Sequence, residues 1–360
     1  MKKLIRYILL FPLSICYGAM VSLRNLLYDF GILAAHEKKV ALLSVGNLTV
    51  GGTGKTPHVE FLLENLQNEL HLAVLSRGYK RKSKGFVLIN PYSGVEDAGD
   101  EPLQIVRKFP HIPVAVCEKR SRGVDLILEQ FPDTDLIILD DAFQHRSIKA
   151  GFQLLLTDYN RLHTRDSLLP GGNLRETVSG SKRASLIMVT KCPPKLSPID
   201  QRIIELELKP QPYQEILFSR FRYEPLRSLF PDESPVNVEP NRLKEYSIVL
   251  ATGIVTPRLI VHELQDKCKE LIAVNFPDHH NFTRQNLNLL ERKLTKVDNP
   301  NKIMVVTDKD AVRLINNSNL SDSLKKHIFV IPVKVELLND QTTVFTKKII
   351  DYVRENKRDC

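Results

Sequence analysis

Apolar and polar positions alternate along the chain in blocks. Short aliphatic runs bounded by polar, Gly- or Pro-bearing loops read as buried strands. They are "VALLSVGN" (40 to 47), "HLAVLSRGY" (71 to 79), "IPVAVC" (112 to 117), Leu136 to Leu139, "GFQLLLTD" (151 to 158) and "ASLIMVTK" (184 to 191). "HVEFLLENLQNEL" (58 to 70) has its apolar residues at helical spacing. Strands alternating with helices predict an α/β fold built on a mostly parallel, doubly wound sheet. A second set, "YSIVLATGI" (246 to 254), "LIAVNF" (271 to 276), "KIMVVTDKD" (302 to 310) and "HIFVIPVKV" (327 to 335), predicts a smaller second α/β domain. Residues 192 to 244 are richer in proline and charge, and read as an extended linker with a short hairpin at "EILFSRFRYEPL" (215 to 226). The expected division is an N-terminal helical segment (1–35), a first α/β domain (36–205), a linker (206–244) and a C-terminal α/β domain (245–360).

The N-terminus follows a different pattern. Between Arg6 and Arg24 lie 17 uncharged residues, slightly short of the roughly 20 that cross a bilayer as a helix. A secretory signal shares the basic start and apolar middle. The apolar pattern, however, continues past Arg24 through Leu26, Leu27, Phe30 and Leu33 with no clean cleavage site. The reading favoured is an uncleaved helix lying in or dipping into a membrane, with Lys2, Lys3, Arg6 and Arg24 near anionic headgroups. A purely buried N-terminal helix is the alternative.

Between the first strand and its helix lies "SVGNLTVGGTGKTP" (44 to 57). It departs from the phosphate-loop pattern G-x-x-x-x-G-K-[ST] only at Thr49, where the first glycine would stand. Gly51, Gly52 and Gly54 allow backbone N–H groups to turn onto an anion, and the helix N-terminus adds partial positive charge. Residues Thr49, Val50, Gly51, Gly52, Thr53, Gly54, Lys55 and Thr56 are therefore expected to bind nucleotide, with Lys55 reaching the β- and γ-phosphates and Thr56 offering a hydroxyl to Mg²⁺. A partner carboxylate is expected at the end of a neighbouring buried strand. Asp140 and Asp141 in "TDLIILDDAFQHR" (134 to 146) stand there. The cofactors expected are ATP and Mg²⁺.

Charge and composition narrow the partners. The 360 residues carry a net charge of +9, which favours an anionic partner. The densest basic stretch, "SRGYKRKSKGF" (76 to 86), comes with no recognised nucleic-acid-binding motif, so no nucleic acid is expected. The five cysteines are scattered without metal-ligand spacing, which suits a reducing compartment.

Taken in order, "GGTGKTP", "SRGY", "AGDEP", "DDAFQH", "LPGGNLRE", "PDHH" and "TDKDAV" resemble the tetraacyldisaccharide 4′-kinase family over nearly the whole chain. The resemblance implies a P-loop fold and transfer of the ATP γ-phosphate to the 4′-hydroxyl of a lipid A precursor disaccharide, giving lipid IVA. It places this at the cytoplasmic face of a bacterial inner membrane, with no obligatory protein partner. Asp100 matches the family's catalytic aspartate and His279 its histidine, with His280 the weaker match. Closure of the second domain over the first is expected to bring His279 to Asp100. Arg77, Arg120 and Arg175 are candidates for gripping the substrate 1-phosphate or the transferring phosphate. Glu101, Gln144, His145 and Glu176 are expected to support them through metal waters, sugar hydroxyls or orientation of those arginines. Two departures, Ala142 after the aspartates and "GGN" (171 to 173), bear on loop shape and acyl-chain preference.

A second class stays open on residues alone: a P-loop ATPase switch of the partition or metallochaperone kind. Such switches carry an additional lysine before the two glycines, and Val50 occupies that position here.

Overall fold

The computed structural model describes residues 2–234 and 238–358, with side chains from residue 10 onward. The headgroup contacts expected of Lys2, Lys3 and Arg6 lie outside the described side chains. The chain divides into two compact units.

The first unit comprises residues 1–98, 105–221 and 335–360. Its strands, in chain order, are β1 (Ala41–Asn47), β2 (Leu72–Ser76), β3 (Val87–Ile89), β4 (Val114–Val116), β5 (Leu136–Asp140), β6 (Phe152–Asp158), β7 (Leu186–Thr190) and β8 (Glu215–Tyr223). The second unit comprises residues 99–104 and 222–334. It holds β9 (Arg227–Ser228), β10 (Ser247–Thr252), β11 (Glu270–Asn275), β12 (Lys302–Thr307) and β13 (Ile328–Ile331); β14 (Val333–Leu337) returns the chain to the first unit.

The first sheet has the order β14-β8-β7-β6-β1-β5-β2-β4-β3. Its pairings from β8 through β4 are parallel, and β3 runs antiparallel to β4. Buried Val, Ile and Leu fill β1, β2 and β5 on both faces, as a sheet covered on both sides requires. Helix Lys55–Leu66 packs on β1 and β5, and helix Thr342–Arg358 packs on both β1 and that helix. Phe61 and Phe345 stack there with centroids 6.3 Å apart. Because β1 lies between β5 and β6, the strand order reverses beside it. The crevice at such a reversal is where open α/β sheets hold ligands.

The second unit carries a five-stranded sheet ordered β11-β10-β12-β13-β9. Leu287, Leu290 and Leu294, at i, i+3 and i+7 of helix Arg284–Lys296, pack on Val249, Met304 and Val306. Capping fixes where that helix begins: Thr283 accepts from Asn286 N, and the Asn286 side chain accepts from Thr283 N.

Two expectations change. Residues 206–244 are not an extended linker throughout: 206–208 end helix Pro198–Leu208, and 215–223 form β8. β8 pairs parallel with β7 instead of folding into a hairpin, because Leu217, Phe218 and Ser219 bury into the first sheet. The unit boundaries also differ. Residues 99–104 group with the second unit, and 335–360 return to the first, where Tyr352 exchanges hydrogen bonds with both Leu42 N and O.

Candidate active site

The phosphate loop runs from the end of β1 into helix Lys55–Leu66. Its left-handed positions are Gly51 (φ 110) and Gly54 (φ 90). Thr49 is buried and forms a bridge with Leu174, while Val50 N donates to Asn173 O at 2.8 Å. The loop therefore needs no glycine at 49. Its carbonyls are held from outside: Arg161 donates to Val50 O, Lys191 to Gly52 O, Thr190 Oγ1 to Thr53 O, and His58 Nδ1 lies 2.7 Å from Gly54 O. The first N–H groups of a helix have no intrahelical acceptor, so those at Lys55 and Thr56 are available to an anion. Burial takes His58 down to about 4, so the ring holding Gly54 is neutral.

Lys55 bonds Asn47 Oδ1 at 3.3 Å and lies 3.6 Å from Asp141 Oδ1. Asp140 is the buried last residue of β5 and accepts from Ser76 Oγ at 3.2 Å. Asp141 follows in a left-handed conformation (φ 48) and accepts from Arg175 Nη1 at 2.9 Å. Burial opposes the Asp141 charge, but Lys55 and Arg175 outweigh it and hold the carboxyl below its usual range. One hydroxyl (Thr56) and two carboxylates make an all-oxygen donor set, which suits Mg²⁺. Lys55 beside them supplies the fixed positive charge that a phosphate requires.

Cations gather in the same unit. Arg120 is buried and donates to Cys117 O at 2.6 Å. Burial takes Arg120 down to about 10, still charged at neutral pH. His145 is pushed down to about 4, first by burial and then by Arg120, Arg77 and Arg24. The neutral imidazole lies in the field of three arginines, a positive potential that attracts anions. Glu176 is buried, bonded by Arg183, Gln144 and Asn25, and so holds that wall in place.

Helix Lys2–Asp29 docks on this wall through its polar side. Ser14 accepts from Gly171 N, Tyr17 donates to Arg175 O at 2.7 Å, Arg24 donates to Gln144 O, and Asn25 donates to Glu176. A Cβ at Gly18 would stand 2.6 Å from Leu168 Cδ1, so glycine lets the helix lie against that side chain without displacing its tip. The opposite side leaves Leu13, Ile15, Met20 and Leu23 exposed. These helix residues were missed in the sequence; the signal was a stripe of small and polar positions at 14, 18 and 25 within an apolar run.

In the second unit, Asp100 is the buried first residue of helix Asp100–Lys108. Its Oδ2 lies 2.6 Å from His279 Nδ1 and 2.7 Å from Arg313 Nη2. Its Oδ1 is buried with no hydrogen-bond partner among the described residues. Burial raises the pKa of Asp100, but His279 and Arg313 together outweigh it and hold the carboxyl below its usual range. His280 turns away, bonding Asn286 at 2.9 Å and stacking on Phe276. Asp100 and His279 thus belong to one unit, and their contact needs no closure of one domain over another. The expectation failed because residues 99–104 pack with the later segment instead of with their neighbours in sequence.

The family model described as tetraacyldisaccharide-1-P 4′-kinase (LpxK) matches residues 6–353. A protein named tetraacyldisaccharide 4′-kinase from Bacteroides thetaiotaomicron is 44% identical over 356 residues, covering 97% of this chain and 94% of its own. One of the same name from Bacteroides fragilis is 46% identical over 354 residues, covering 97% and 94%. The chain belongs to the tetraacyldisaccharide-1-P 4′-kinase family. A crystal structure of LpxK from Aquifex aeolicus in complex with ATP aligns with a TM-score of 0.71 at 28% identity, covering 96% of this chain and 99% of that one.

For this kinase-family chain, the first unit brings together the phosphate loop, Asp140, Asp141, Gln144, His145, Arg175 and Glu176. Arg77, after β2, and Arg120 act on the His145 end of that group. Glu101 joins Asp100 and His279 in the second unit, where Lys309 lies 3.1 Å from its carboxylate. Lys309 and Arg313 were not singled out from sequence. Their signal was the four-residue spacing inside "TDKDAVR" (307 to 313), which puts two cations on one face of a helix.

Proposed function

We propose that this chain transfers the γ-phosphoryl group of ATP to the 4′-hydroxyl of a tetraacyldisaccharide 1-phosphate, giving lipid IVA in lipid A biosynthesis. The observation that carries the reading is the bare, buried Oδ1 of Asp100 in a chain that also keeps a complete phosphate loop. A buried carboxylate oxygen without a donor is costly, and a substrate hydroxyl relieves that cost.

Lys55 and the N–H groups opening helix Lys55–Leu66 neutralise phosphate charge and aim the γ-phosphorus. Asp100 Oδ1 takes the proton of the 4′-hydroxyl. The hydroxyl oxygen forms its bond to the γ-phosphorus as the bond from that phosphorus to the β–γ bridging oxygen breaks. ADP leaves with the electron pair. Asp100 is a weak base, sufficient for a loose transition state in which the proton moves late. Thr56, Asp140 and Asp141 would hold Mg²⁺, which when bound offsets charge on the phosphates. Arg77, Arg120 and Arg175 grip the 1-phosphate or the transferring group.

The exposed apolar side of helix Lys2–Asp29 supports placement at a membrane surface. Among the described residues, Leu10–Asp29 is the one segment long and apolar enough to cross a bilayer. The reading puts the protein on the cytoplasmic face of the inner membrane, where ATP and the lipid acceptor meet.

The test is phosphate transfer from ATP to the tetraacyldisaccharide 1-phosphate in detergent micelles with Mg²⁺. Wild type should give labelled lipid and Lys55→Ala none. Asp100→Ala should lose roughly 10²–10⁴-fold in turnover. ATP hydrolysis with no labelled lipid would replace this reading with the ATPase switch.

A further inference from the structure

The Asp100–His279 pair rests on one short helix, Asp308–Leu314, opened by the motif "TDKDAV". Thr307 caps it by accepting from Asp310 N. Asp310 is buried and accepts from Gly253 N and Thr307 Oγ1. These ties fix how the helix is turned, and Lys309 and Arg313, four residues apart, share one face. Lys309 Nζ lies 3.3 Å from His279 Nε2, 2.8 Å from Asp278 Oδ1 and 3.1 Å from Glu101 Oε1. Arg313 donates to Asp100 Oδ2 through Nη2 and to Asn281 Oδ1 through Nη1.

An ammonium has three donors and no acceptor. Burial works against the Lys309 charge, but Glu101 and Asp278 outweigh it and raise its pKa, so Lys309 is cationic. The carboxylates of Asp278 and Glu101 lie 3.6 and 3.8 Å from His279 Nε2, beyond hydrogen-bond reach. With Lys309 a pure donor 3.3 Å away, the geometry suits the tautomer in which Nε2 accepts from Lys309 and the ring proton on Nδ1 is donated to Asp100 Oδ2. Oδ2 then holds two donors while Oδ1 holds none. The His279 backbone is left-handed (φ 61), an uncommon conformation for a non-glycine residue that recurs at functional sites.

We propose that Lys309 and Arg313 are positioning residues for the transfer. Lys309 fixes the His279 tautomer, and Arg313 with His279 grips Asp100 by Oδ2, so that Oδ1 is presented to the acceptor hydroxyl. The proposal rests on the reading of Asp100 as the base.

The first test reads the wild-type protein: ¹⁵N spectra of full-length protein with labelled histidine, the His279 signal assigned by its loss in His279→Gln. The expected signature is a protonated Nδ1 and an unprotonated Nε2; a protonated Nε2 would overturn the tautomer argument. Lys309→Met should remove that single-tautomer signature and lower kcat about tenfold or more, with KM for ATP unchanged. Lys309→Arg, still a pure donor, should retain the signature and recover part of the rate. Arg313→Lys should lose less kcat than Arg313→Met, again at constant KM for ATP. Wild-type kcat in both Lys309→Met and Arg313→Met, with Asp100→Ala impaired, would sink the proposal and spare the base. Full activity in Asp100→Ala would sink the base reading, whatever the spectra show.

Discussion

Gly54 meets two demands at once. Its φ of 90 lies where L side chains are strained, and a Cβ there would stand 2.7 Å from Phe221 Cζ. A Gly54→Ala change would therefore strain the backbone by about 1–2 kcal/mol and push either Phe221 or the phosphate loop aside. The expected outcome is at least a tenfold rise in KM for ATP. Gly85→Ala is the control, since φ is 76 there but nothing lies within 4 Å of the added atom. It should lower thermal stability slightly and leave KM for ATP unchanged. Equal effects of the two substitutions on ATP would show that strain alone, not the loop, sets the response. Thr49 teaches the converse lesson. Its departure from the phosphate-loop pattern was visible in sequence, but its harmlessness rests on the bridge to Leu174, 125 residues away, which no local pattern reveals.

At the scale of elements, what was legible followed period and length. Most strands of the two sheets fall where aliphatic runs predicted them, because strands buried on both faces leave an unbroken apolar signal; the short β3 and β9 had no such run, and the single run at 327 to 335 divides into β13 and β14. β8 escaped because proline and charge on either side of it resemble a linker, and its pairing with β7 is a long-range choice. The N-terminal helix was legible as apolar but not as two-sided. Its polar stripe grips the 144–176 loops while its apolar stripe stays exposed. The two stripes should separate by mutation. Met20→Glu with Leu23→Glu should release the protein from vesicles of anionic lipid, a change read by flotation, with KM for ATP unaltered. Asn25→Leu, which removes the donor to Glu176, should keep the protein on vesicles and raise KM for the lipid acceptor several-fold. Vesicle binding that survives the double glutamate variant would put the attachment elsewhere, the basic loop at 80 to 84 being the next place to look.

For the whole molecule, the chemistry was legible further than its distribution. The motifs named Asp100 and His279, but sequence order assigned them to different domains, whereas residues 99–104 leave the first unit to join the second. No periodicity marks a six-residue excursion of that kind. Imidazoles withdrawn from water, His58 and His163 fully and His145 in part, add a property of the entire fold. His58, His145 and His163 are all pushed down to about 4, each chiefly by burial. An unfolded histidine titrates near 6.5, so between about pH 6.5 and 4 the unfolded chain binds protons that the folded chain refuses. Stability is thus full above that window and falls as pH drops through it, by about 1.4 kcal/mol per pH unit for each fully buried histidine. Asp310, whose pKa is raised by burial, runs the other way, one group against three. Urea midpoints should therefore fall steadily from pH 7 to pH 5. His163 isolates the cause, because it is buried and neither ring nitrogen has a hydrogen-bond partner among the described residues. Replacing an unpartnered buried polar group with an apolar one of similar size is close to neutral or stabilising. His163→Leu should match or exceed wild-type stability at pH 7 and lose less of it by pH 5. An unchanged pH dependence in that variant would mean that the His163 ring takes up its proton in the folded protein as readily as in the unfolded chain.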